Sequence, residues 1–115
     1  MIAKEDASAS RLKWGGIYYT ISNVTMSSEV DIAIRDNAGI NHTPKIISRL
    51  SGITDSYSVT GAPAAEACAA YVFPNGSTGY LGALGEWKAA CDNKASIMSL
   101  MSQIGGTAIN TSNYY

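Results

Sequence analysis

Gly79-Tyr80-Leu81-Gly82-Ala83-Leu84-Gly85-Glu86-Trp87 joins a glycine-spaced connection to the start of a helix. Glycine at every third position suits a tight connection packed against the helix that follows, because a missing Cβ lets backbone approach backbone. The Gly-x-x-Gly-x-x-Gly spacing differs from the dinucleotide fingerprint and no βαβ unit surrounds it, so a phosphate cradle is not expected. Glu86 falls in the first helical turn, where the helix dipole favours a carboxylate, and Trp87 is of a size to fill core volume. Tyr80 is expected to pack in the core or at its rim.

Downstream, residues 84–104 follow a helical pattern that places Trp87, Ala90, Cys91, Ile97, Leu100, Met101 and Ile104 on one face. Asp92-Asn93 predicts a break into two helices, since either side chain can cap a new N-terminus, and Gly105-Gly106 predicts the stop. Upstream, Pro63 opens a helix in which Ala64, Cys68, Tyr71 and Val72 recur at about four-residue spacing, with Glu66 on the wetter side. It ends before the turn signal Pro74-Asn75-Gly76. Thr43-Pro44 predicts another helix start, with Ile46, Ile47 and Leu50 as its apolar stripe and Gly52 beyond its end. Residues 51–61, rich in Ser, Thr and Gly, read as a surface loop.

Two segments nearer the N-terminus carry strand patterns. Residues 14–22 are rich in aromatic and β-branched types, with Gly15-Gly16 as a candidate bulge, and Val30-Asp31-Ile32-Ala33-Ile34 alternates apolar and polar. Residues 1–13 read as a polar N-terminal segment or linker, and 14–115 as the domain.

Composition narrows the function classes. A chain of 115 residues with 46% hydrophobic and 15% charged residues has the profile of one folded domain. Its formal charge is -1 and its eight Lys and Arg are scattered, so nucleic acid is not an expected partner. Apolar stretches are interrupted every few residues, well short of the roughly 20 that span a bilayer, and residues 1–10 lack the apolar centre of a secretory signal. Cys68 and Cys91 both fall on helical patterns, where a free thiol acts as a small apolar filler; a bridge between them is the rival reading. His42, the single histidine, has no spacing relation to either cysteine. No carboxylate pair or nucleophile elbow stands out, so neither catalysis, a metal nor a cofactor is expected. Four Asn-x-Ser/Thr triplets begin at Asn23, Asn41, Asn75 and Asn110, a number expected by chance in a chain this rich in those residues.

Across residues 40–106, the order and spacing resemble a domain family typified by the C-terminal domain of the Legionella collagen-like adhesins, also seen in phage and mobile-element tail proteins. The likeness runs through the 43–50 helix, Ala64-Ala65-Glu66-Ala67-Cys68-Ala69-Ala70-Tyr71, the Gly79 to Trp87 signature, Asn93-Lys94-Ala95-Ser96-Ile97 and Ile104-Gly105-Gly106. It covers a little over half of the chain. The resemblance implies an α+β, C-type-lectin-like fold, with helices packed on a small twisted antiparallel sheet and binding carried by surface loops. It also implies a non-enzymatic recognition or adhesion domain, at a virion or cell surface, for a protein or glycan receptor. Some relatives are the variable proteins of diversity-generating retroelements.

The family pattern continues past a Tyr pair such as Tyr114-Tyr115 into further strands, so the resemblance implies an incomplete sheet here, to be completed by more chain, a second copy or another chain. It places Asn113, Tyr114 and Tyr115 where recognition begins, and Tyr with Asn joins contact area to adaptable hydrogen bonding. Phe73-Pro74-Asn75 lacks the carboxylate or amide of the calcium-dependent sugar motif, so no metal is implied. A structural module of a fibre or tail, with no ligand of its own, is the alternative function.

Overall fold

The structure, a computed structural model, describes residues 2–16, 19–24, 27 and 29–108. Five helices follow one another among these residues: α1 (Val30–Ala33), α2 (Gly39–Leu50), α3 (Pro63–Ala70), α4 (Leu84–Asp92) and α5 (Lys94–Ile104). The core forms where α2 meets α3. Ile46 and Leu50 from one and Ala65 from the other close on Ile21 and Ala62, with Tyr19, Val24, Ile47 and Leu81 packed around them.

The expected α+β, C-type-lectin-like fold is corrected by the absence of a sheet among the described residues. Strand pairing is confined to two isolated bridges, Thr54 with Thr60 and Val72 with Thr78. Each closes a small loop and extends no further. The strand read from residues 14–22 is interrupted at Gly15 and Gly16, whose φ angles of 82° and 64° turn the backbone out of the extended region. Tyr19 N–H donates to Gly16 O at 3.0 Å, and residues 17 and 18 of that stretch lie outside the described residues. The strand read from residues 30–34 is instead α1, with Ile34 N–H donating to Val30 O at 2.9 Å. Alternation over five residues also fits a single helical turn, and without a neighbouring strand nothing selects the extended form.

The helices begin and end largely on local signals. Pro63 opens α3, where Glu66 Oε1 accepts from Ala62 N–H at 3.0 Å. Tyr71 is already extended, so α3 is two residues shorter than its apolar pattern predicts, and Val72 faces outward. Asn93 divides α4 from α5, and Gly105 closes α5 in the left-handed conformation while Gly106 N–H donates to Met101 O at 2.8 Å. Thr107 N–H donates to Lys4 O at 2.7 Å, tying the N-terminal segment to the end of α5.

Two expectations about faces are overturned. Helix α2 starts at Gly39 rather than Thr43, so Thr43 is an interior residue whose hydroxyl donates back to Gly39 O at 2.8 Å. On α4 and α5, Met101 is buried while Trp87, Leu100 and Ile104 are exposed, and Cys91 is exposed too. The stripe exists in sequence, but no element among the described residues covers most of it.

Candidate recognition surface

Glu86 organises the Gly79 to Trp87 stretch. Its Oε2 accepts from Ala83 N–H at 2.7 Å and Gly39 N–H at 3.2 Å, while Oε1 accepts from the Tyr80 hydroxyl at 3.0 Å. One carboxylate therefore satisfies orphan donors at the starts of both α2 and α4. Ala83 has no side-chain oxygen, so only the glutamate half of a capping box is present. Beside it, Thr43 Oγ1 accepts from Leu81 N–H at 3.0 Å, and the residue is only 2% exposed. A Cβ on Gly39 would collide with Glu86 Oε2, and one on Gly85 would lie 2.5 Å from Asp36 O. Gly82 lies against the Trp87 indole, and Gly79 N–H donates to Tyr71 O at 2.8 Å. Burial, then the hydrogen bond and charge of Glu86, push the Tyr80 hydroxyl above the ordinary tyrosine pKa. The Glu86 carboxylate and the Thr43 hydroxyl thus tie this stretch to the start of α2, which makes it a joint between helices.

Asp36 and His42, unlinked in the sequence reading, meet at the same joint. His42 Nδ1 lies 3.2 Å from Asp36 Oδ2, with both side chains 12% exposed. Asp36 Oδ1 also accepts from Ala38 N–H at 3.0 Å, and its carbonyl accepts from Gly85 N–H at 2.9 Å. The pair pins the turn before α2 onto α2 itself, and the Asp36 carbonyl holds that turn to the start of α4. Nothing in the sequence announces it, because a six-residue separation across a turn has no periodic signature.

A different arrangement occurs where Lys13, Trp14 and Gly15 run beside the 55–59 loop. Asp55 Oδ1 accepts from Tyr57 N–H at 2.9 Å and Val59 N–H at 3.0 Å, so the loop is held rigidly from inside. Gly15, in its left-handed conformation, approaches so closely that a Cβ would strike Gly61 O. Between the two segments lies a groove of about 360 Å³, lined by Lys13, Trp14, Gly15, Asp55, Tyr57 and Val59. Trp14 is 56% exposed and Tyr57 64%, on walls that are otherwise mainly apolar. Exposed aromatics over a fixed loop offer contact area at little cost in side-chain entropy. The sequence pattern places Trp14 on a strand and Tyr57 in a surface loop, and the Trp-Gly-Gly run is the one signal in it that bears on the groove.

The remaining expected site residues, Asn113, Tyr114 and Tyr115, lie outside the described residues. Cys68 is partly buried and Cys91 exposed, and both thiols are free. Burial pushes the Cys68 thiol above its ordinary pKa, the opposite of an activated nucleophile. Among the described residues no group of three or more His, Cys, Asp or Glu side chains could hold a metal ion, and no helix is long and apolar enough to cross a membrane. No protein-family profile, curated protein or solved structure matches the chain.

Proposed function

We propose that this chain is a non-enzymatic recognition module that contacts a receptor on a cell surface through the groove between Trp14 and Tyr57. The observation that carries the reading is the pair of exposed aromatic side chains flanking one groove, with Tyr57 on a loop held from inside by Asp55. Binding surfaces favour this chemistry, because a large rigid ring gains contact area without the ordering cost of a long flexible chain. The setting proposed for the module is a virion, a mobile-element product or a bacterial surface.

Labelled chain applied to a panel of intact bacterial and eukaryotic cells tests the proposal. Saturable staining of a subset is expected, with loss of at least about tenfold in affinity for the Trp14→Ala, Tyr57→Ala double variant at unchanged melting temperature.

The second reading, an assembly module of a fibre or tail, is favoured by the uncovered Leu84, Trp87, Leu100 and Ile104 on α4 and α5. It predicts self-association in sedimentation velocity that is lost when Leu100 and Ile104 become serine, and no cell staining.

A further inference from the structure

The second half of α2 faces a groove of a different character. Ile21, Ser22, Pro44, Lys45, Ser48 and Arg49 line an open trough of about 680 Å³. Lys45 and Arg49 stand one turn apart, so both cations project along the same side of the helix. Lys45 Nζ donates to Asn23 O at 3.0 Å, and Asn23 holds the left-handed φ of 58° that turns this part of the chain. Two of the three ammonium donors remain. The Arg49 guanidinium lies 5.5 Å from the centre of the Tyr19 ring. Ion pairs among the described residues join His42 to Asp36 and Lys88 to Asp92, so neither Lys45 nor Arg49 meets a carboxylate there.

An arginine in the last turn of a helix ordinarily complements the negative end of the dipole. That accounts for the sign of Arg49, but it leaves the guanidinium N–H groups without an acceptor among the described residues and does not explain Lys45 in mid-helix. We propose that this trough binds the carboxylate of an acidic sugar. The guanidinium fork matches a carboxylate in two parallel hydrogen bonds, and Lys45 adds a second positive charge. Pro44 and the edge of buried Ile21 present an apolar floor for a sugar ring, and the Ser22 and Ser48 hydroxyls can each donate to or accept from ring hydroxyls. The site is separate from the Trp14 groove and stands whether or not that groove binds a receptor.

Titration of the ¹⁵N-labelled full chain with N-acetylneuraminic acid provides the test. Saturable amide shifts are expected at Ser22, Lys45, Ser48 and Arg49, with the methyl ester of the same sugar at least about tenfold weaker. Arg49→Gln and Lys45→Gln should each weaken the acid by about tenfold while leaving the melting temperature within error; Arg49→Lys should recover part of the loss. Absence of saturable shifts, shifts centred elsewhere, or equal binding of acid and ester would overturn the proposal. So would inorganic phosphate binding the same residues as tightly as the sugar acid, since the trough would then read charge alone.

Discussion

The joint around Glu86 and the outer faces of α4 and α5 are built from adjacent stretches of chain and follow opposite rules. At the joint, one carboxylate, one threonine hydroxyl and two glycines without room for a Cβ lock the starts of α2 and α4 together. On the outer faces, Trp87, Leu100 and Ile104 follow helical spacing yet remain exposed. Hydrophobic periodicity marks a face that can be buried, whereas close backbone approach and satisfied N–H groups mark one that is.

The largest effect that should expose this contrast is from Glu86→Ala. It strands the Gly39 and Ala83 N–H groups and frees the Tyr80 hydroxyl, so urea unfolding should show a loss of about 3 kcal/mol. A loss below about 1 kcal/mol would mean that the joint contributes little. Gly85→Ala drives a Cβ toward Asp36 O, Ile34 O and Asn37 Oδ1, and a destabilisation of about 2 kcal/mol is expected by the same measurement. Thr43→Val keeps the shape but leaves Leu81 N–H without its acceptor, which should cost about 1.5 kcal/mol. Leu100→Ser on the outer face should change stability by no more than about 0.5 kcal/mol; a larger loss would show that this face is covered after all.

The smallest effect is an alkaline one. The Tyr80 pKa is raised on folding, so the folded state holds this proton more tightly than the unfolded chain. The stabilisation is fully present below the ordinary tyrosine pKa of about 10 and is lost as pH rises through the folded value. Tyr80→Phe should flatten that part of the decline in melting temperature above about pH 10, with the Cys68 thiol contributing a decline of the same sign.

The legible parts of this molecule were those decided within a few residues. Pro63, Asn93 and Gly105 each act on the backbone beside them and the helix boundaries there follow them closely, while the Pro74-Asn75-Gly76 turn forms after α3 has already ended at Ala70. Strands were misread because they need a partner that no five-residue pattern supplies: Val30-Asp31-Ile32-Ala33 forms a helical turn with every residue partly or fully exposed. The earlier start of α2 depended on Glu86, 47 residues away. The Trp14 groove depended on Gly15 meeting Gly61, and the Asp36–His42 pair on a turn folding back. Long-range encounters of this kind leave no periodic trace in sequence.

The most direct test separates joint from recognition surface by comparing Trp14→Ala with Glu86→Gln for both melting temperature and binding to a cell type stained by the parent chain, well below either melting point. The expected result is that Trp14→Ala clearly weakens binding without moving the melting temperature, while Glu86→Gln lowers the melting temperature and retains binding. Loss of binding from Glu86→Gln in a chain still fully folded, with Trp14→Ala silent, would place recognition at the helix joint and contradict the account.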